Sequence, residues 1–149
     1  MSTLPVPNFG CTCARLRKLA RRMTRIYDAH LAAQSIKVTQ YSLLANAAPG
    51  PRTLSEFAAE LEMDRSTLSR NLAPLVAQGW MEIAIGADPR SRSISVTAAG
   101  RRKLKAALPL WRKAQCEVES ILGAAGVGEL HGKIERALAK LPIPSGRHA

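Results

Sequence analysis

Residues 53–97, TLSEFAAELEMDRSTLSRNLAPLVAQGWMEIAIGADPRSRSISVT, decide the fold. Thr53 stands three residues before Glu56, the spacing at which the two side chains satisfy each other's orphan backbone donors at a helix start. Leu54, Phe57, Ala58 and Leu61 then recur three to four apart, which gives a short helix one apolar face. Glu62-Met63 supplies a turn, and Asp64 is a good cap for a second helix reaching about Gln78. Two short helices about a tight turn form the helix-turn-helix pattern, whose second helix can lie in a DNA major groove.

That second helix divides by face. Leu68, Leu72, Leu75 and Val76 predict a buried stripe. Arg65, Ser66, Thr67, Ser69 and Arg70 occupy the first two turns, the end that meets base edges in helix-turn-helix complexes. Arginine suits a bidentate grip on guanine, and the hydroxyls can bond several bases or a phosphate. Pro74 removes a backbone donor and clashes one turn back, which predicts a bend or an early end to the helix. Two β-prone runs follow, Trp80 to Ile85 and Ser93 to Val96, the latter alternating Ile94 and Val96 with serines. Between them the turn-rich tip Gly86-Ala87-Asp88-Pro89-Arg90-Ser91-Arg92 carries two arginines, placed for a phosphate or a narrow minor groove.

The order helix-turn-helix, apolar strand, Asp88-x-Arg90-x-Arg92, alternating strand and Thr97-Ala98-Ala99-Gly100 resembles the MarR family of winged-helix regulators, from about Phe9 to Leu141. The resemblance implies a mainly α fold with a small β-hairpin wing, a winged helix-turn-helix between N- and C-terminal dimerisation helices. It implies an obligate homodimer on pseudo-palindromic double-stranded operator DNA, with Arg90 entering the minor groove and Asp88 holding the wing in shape. In function it implies a transcriptional regulator, most simply a repressor.

At 149 residues the chain suits one domain, and 46% hydrophobic against 4% aromatic residues predict an aliphatic, helical core. A net charge of +11 points to an acidic polymer or surface as partner. The charge sits in the flanks: residues 1–50 carry seven Lys/Arg against one acid, 98–149 ten against four, and 51–97 five against six. A near-neutral reading head leaves a second class open, a winged-helix protein-interaction module that binds an acidic partner without sequence-specific DNA recognition. Steep salt dependence combined with preference for one palindrome separates the two.

Outside the central unit, residues 1–10 and 142–149 read as mobile tails. Residues 11–48 hold two supporting helices, about Cys11 to Ala33 and Thr39 to Ala47. The first has an apolar stripe of Leu16, Leu19, Met23, Ile26 and His30. A basic stripe of Arg15, Lys18, Arg22 and Arg25 is read as a solvated face, a long-range attraction to DNA or a contact with a partner subunit. Lys37 and Thr39 are placed to touch phosphate at a helix N-terminus. Pro49-Gly50-Pro51 breaks structure and opens the winged unit, 49–97. Residues 98–141 should form a long helix to about Leu122, with Leu104, Leu108, Trp111, Val118 and Leu122 on one face and a kink at Pro109. A last helix should bury Val127, Leu130, Ile134, Leu138 and Leu141. Such apolar faces call for a second copy of the chain, and a twofold pair spaces two recognition helices about 34 Å apart, one DNA turn.

No run is long enough to span a membrane and no metal or cofactor motif is present, so the sequence reads as a cytoplasmic non-enzyme with no cofactor. Cys11, Cys13 and Cys116 make no disulfide framework. Cys13 lies near a helix start, where amide dipoles favour the thiolate. Relatives that respond to organic hydroperoxides carry a cysteine there, supported by tyrosines; Tyr27 and Tyr41 match two of those, while a third position is Arg17. Cys116 is a candidate resolving thiol if folding brings it near Cys11 or Cys13, and the alternative for all three is ordinary buried cysteine. The competing switch is a small aromatic ligand lined by Tyr27, His30, Tyr41 and Trp111.

Overall fold

A computed structural model describes residues 10–86, 88 and 91–143. Six helices and three short strands follow one another: α1 Thr12–Leu31, a 3-10 turn Ala32–Gln34, α2 Val38–Ala47, β1 Arg52–Thr53, α3 Leu54–Glu60, α4 Arg65–Ala77, β2 Met81–Ile85, β3 Arg92–Val96, α5 Ala98–Leu122 and α6 Ala124–Lys140. The antiparallel sheet has the order β1-β3-β2, with Ile83 opposite Ile94 and Arg52 also paired to Ile94. This is the winged-helix architecture that the sequence predicts.

Local chemistry accounts for each boundary of the central unit. Thr53 and Glu56 form the reciprocal cap, with Glu56 N–H donating to Thr53 Oγ1 at 3.1 Å and Thr53 N–H to Glu56 Oε2 at 2.8 Å. Between α3 and α4 the chain turns through Glu62, which takes the left-handed conformation at φ 52° that L side chains seldom adopt. α4 ends in a Schellman motif: Gly79, at φ 73°, donates to Val76 O and Trp80 donates to Leu75 O. Thr97 then fastens α5 to that end. Its hydroxyl donates to Gly79 O at 2.6 Å and accepts from Gly100 N–H at 3.0 Å.

Leu31, Leu44, Phe57, Leu68, Leu72, Leu75 and Ile94 are fully buried and form the centre of the core, with Ala107 tying α5 to it. α1 and α5 pack along one another, and Asp28 at the end of α1 accepts from Val38 N–H at 2.8 Å, capping α2. Basic side chains close the C-terminal ends of these helices: Arg101 donates to Ala48 O and Lys103 to Gln34 O.

Several expectations need correction. Val76 is 36% exposed, because the stripe that meets the core narrows to Leu68, Leu72 and Leu75. The early end that Pro74 allows does not occur, since α4 continues to Ala77; α5 runs through Pro109 to Leu122, the length the sequence predicts. β1 was not foreseen, since two residues after a Pro-Gly-Pro run carry no periodicity. On α6 only Val127 is buried; Ile134, Leu138 and Leu141 are 36%, 54% and 64% exposed, and Leu122 at the end of α5 is 43% exposed.

Candidate nucleic-acid interface

The front of α4 is built around Asp64. As N-cap it accepts from Thr67 N–H at 2.8 Å, and the hydroxyls of Ser66 and Thr67 donate to its two oxygens at 2.6 Å each. Those hydroxyl bonds, with the amide, hold the Asp64 carboxyl far below the usual carboxylate range. The Thr67 hydroxyl in turn accepts from Arg70 Nη2 at 3.4 Å. Ser66 and Thr67 therefore do not present the free donors that their residue type alone suggests; both hydroxyl protons go to Asp64. Arg65 and Arg70 are exposed and Ser69 is half-buried.

Lys37 and Thr39, at the start of α2, come to the same side. With Arg70, Asn71 and Pro74 they line a groove of about 450 Å³ between α2 and α4. Gln40, Ser42 and Asn71 share this groove and went unrecognised in the sequence, where polar residues on short helices carry no signal of their own. Arg92 opens β3 and is exposed. Asp88 is exposed at the hairpin tip, where its carbonyl accepts from the N–H of Ser91 at 2.9 Å and from its hydroxyl at 2.9 Å. Arg90 lies outside the described residues, as do Ala87 and Pro89.

The near-neutral formal charge of this unit conceals a segregation. Glu60 pairs with Arg52 at 2.9 Å, Glu56 is held by Thr53, and Glu82 accepts from Ser95 at 3.2 Å. Glu56, Glu60, Asp64 and Glu82 are tied into local structure and Glu62 stands exposed in the turn, while Lys37, Arg65, Arg70 and Arg92 stay exposed on the contact elements.

The sensor candidates fall into separate places. Cys11, Cys13 and Cys116 are all exposed, so none is the buried, packing cysteine. Cys11 caps α1, its sulfur accepting from Ala14 N–H at 3.4 Å. His30 lies roughly 25 Å further along α1 than Cys13 and holds Glu117, the neighbour of Cys116, at 2.5 Å. A disulfide needs Cα atoms within about 7 Å, so Cys116 is not a resolving partner for Cys11 or Cys13 within one chain. Tyr27 is likewise roughly 20 Å along the helix from Cys13. It donates to Gln115 and packs 6.3 Å from Trp111, on which Tyr41 stacks at 6.0 Å. Burial raises both phenol pKa values; the Glu119 charge adds to this at Tyr27, and Arg112 opposes it at Tyr41.

Tyr41 and Tyr27 line different cavities. Tyr41 lines one of about 460 Å³ with Leu104, Leu108, Arg101 and Lys105. Tyr27 lines a different, apolar one of about 600 Å³ between α1, α5 and α6. Trp111 and His30 line neither. Among the described residues no group of His, Cys, Asp and Glu could hold a metal, and no helix is long and apolar enough to cross a membrane.

No protein-family model and no curated protein matches this sequence; the kinship is carried by solved structures. The M. tuberculosis transcriptional regulator MosR, solved in complex with DNA, is 35% identical over 88% of this chain and 99% of its own, with a TM-score of 0.75. A second MosR structure gives 31% identity over 89% and 98%, TM-score 0.71. A cysteine-to-serine mutant of E. coli MarR complexed with operator DNA shares the fold at 23% identity over 84% and 92%, TM-score 0.75. The chain belongs to the MarR family of winged-helix transcriptional regulators. Its neighbours are regulators and not enzymes.

Proposed function

We propose that this chain is a sequence-specific double-stranded DNA-binding repressor that acts as a homodimer on a pseudo-palindromic operator. The observation that carries the reading is the exposed α4 front, Arg65 to Arg70 organised by Asp64, flanked by Lys37 and Thr39 on one side and by the hairpin with Arg92. The likeness to MosR, itself solved with DNA, supports it. The units proposed are the supporting helices 11–48, the reading unit 49–97 and the pairing helices 98–141. Arg65 and Arg70 supply the base and phosphate grip, and Arg90 and Arg92 the wing contacts; Asp88 shapes the wing tip.

Arg70→Ala is expected to weaken binding to a selected duplex by about 10- to 100-fold, the worth of one bidentate arginine. Its base preference should relax at one position of each half-site. Anisotropy titration across duplex variants reads both. An Arg70→Ala protein with wild-type affinity and preference would remove α4 from the reading role.

Release by thiol oxidation at Cys13 is the inducer route favoured here, because this thiol is exposed in the first turn of α1. A small aromatic ligand in the Tyr41 cavity is the other route within the same function. Cys13→Ser should retain DNA affinity and lose release by an organic hydroperoxide. Wild-type complexes that survive peroxide intact would eliminate the thiol route and leave the cavity.

A further inference from the structure

α1 carries Arg15, Arg17, Lys18, Arg21, Arg22 and Arg25, all exposed, and no acid before Asp28. Among the described residues none of the six side chains has a salt bridge or a hydrogen bond. At 100° per residue they cover the half of the helix opposite Leu16, Leu19, Met23 and Tyr27, which face the apolar groove. Anything seated in that groove therefore leaves the cationic half open to solvent.

This helix is charged against its own interest. Arg17–Arg21, Lys18–Arg22 and Arg21–Arg25 are like charges four apart, and Arg15–Lys18, Lys18–Arg21 and Arg22–Arg25 three apart; each pair opposes helix formation. Arg15 also stands in the first turn, at the positive end of the helix dipole, and that turn has no acid. A bound polyanion removes both penalties. Five of the six are arginines, whose planar forks fit phosphate oxygens. The face offers no apolar anchor of the kind a protein partner needs at the centre of its interface. α1 packs chiefly on α5 and α2, so this surface is distinct from the α4 front.

We propose that the outward face of α1 is a second, sequence-blind docking surface for the phosphate backbone of duplex DNA. The choice of DNA among phosphate polymers rests on the operator reading above. Through it the protein holds DNA flanking the operator, or a second segment, without reading bases.

The test compares full-length wild type, R15Q/K18Q/R22Q/R25Q and R65Q/R70Q/R92Q on a scrambled duplex and on a duplex selected by the wild type, from roughly 50 to 200 mM salt. The α1 variant should bind the scrambled duplex about tenfold or more weakly at low salt, with a log–log salt slope shallower by roughly three to four. It should keep the wild-type ratio of selected to scrambled affinity. The α4 variant should show the converse, losing that ratio while retaining α1-dependent scrambled binding. If no protein prefers any sequence yet scrambled binding still depends on α1, the operator reading fails and this surface stands. An α1 variant with unchanged scrambled affinity and slope overturns the proposal. So does wild-type binding to polyglutamate as tight as to duplex and lost in the same variant, which would assign the face to an acidic protein.

Discussion

Gly100→Ala is expected to lower the midpoint of thermal unfolding by roughly 10 °C or to prevent accumulation of soluble protein. A Cβ at this position would stand 2.0 Å from Trp80 O and 2.8 Å from Val96 Cγ1. Neither neighbour can yield cheaply. Trp80 O accepts the Thr97 N–H at 3.0 Å, and Val96 is buried in β3. The Thr97 hydroxyl ties the same corner to Gly79 O. An added methyl in a packed site costs typically 1–3 kcal/mol, and with backbone in the way the upper end of about 3 kcal/mol applies. In a chain of this size each kcal/mol shifts the midpoint by roughly 3 °C. Gly50→Ala is the matched control: its Cβ would meet nothing within 4 Å and its φ is not positive. It should be neutral or slightly stabilising, by about 0.4–1 kcal/mol. Circular dichroism melts of the two variants side by side check the pair, and equal midpoints would mean that α5 does not start against Trp80.

That corner shows why the Thr97-Ala98-Ala99-Gly100 run was legible: threonine caps the helix and glycine permits the close approach. The helix-turn-helix was legible for a similar reason, because Thr53, Glu56 and Asp64 act through bonds three residues away, within reach of a sequence pattern. What escaped notice depends on packing. Val76 has the chemistry of a core residue, yet the core ends one side chain earlier. The turn at Glu62-Met63 is legible, but not its left-handed glutamate, since glycine is the residue that announces that conformation. Pro74 is compatible with either a bend or an early end, and the sequence does not say that α4 keeps its last turn to Ala77.

The contact residues were read from type and position, and the structure changes their chemistry more than their location. Residue type makes Ser66 and Thr67 donors; Asp64 takes both protons, and the Thr67 oxygen then accepts from Arg70. The charge count alone would have cast Arg52, Arg101 and Lys103 as partner-binding cations, but they serve Glu60 and backbone carbonyls. The sensor set fared differently because its members were matched by residue type, and the rise of about 1.5 Å per helical residue puts them far apart within one chain. Cys13 and Tyr27 share α1 but lie at opposite ends of it, and the His30–Glu117 contact fixes Cys116 away from both N-terminal thiols.

The double variant Ile134→Glu/Leu138→Glu should run at half the wild-type mass and lose about 100-fold or more in affinity for a selected duplex. Leu16, Leu122, Leu138 and Leu141 are each 43% exposed or more and line a groove of about 600 Å³ between α1, α5 and α6. A lone protomer would leave this continuous apolar surface in water. Burying one such side chain is worth roughly 1.5–3 kcal/mol. With Ile134 36% and Leu138 54% exposed in one protomer, the two supply about 3–5 kcal/mol across a twofold pair, a substantial part of the roughly 12 kcal/mol of a nanomolar dimer. Glutamates there remove that gain and add like charges across the axis. The fold itself should survive, since the main core contains no α6 residue. The DNA effect follows from linkage: a monomer reads one half-site and forfeits the effective concentration that joins the second, a factor of about 10² to 10⁴. Light scattering gives the mass, circular dichroism the helix content and anisotropy the affinity. A variant that stays dimeric at micromolar concentration would place the pairing surface elsewhere. A folded monomer that binds as tightly as wild type would show that one reading unit suffices.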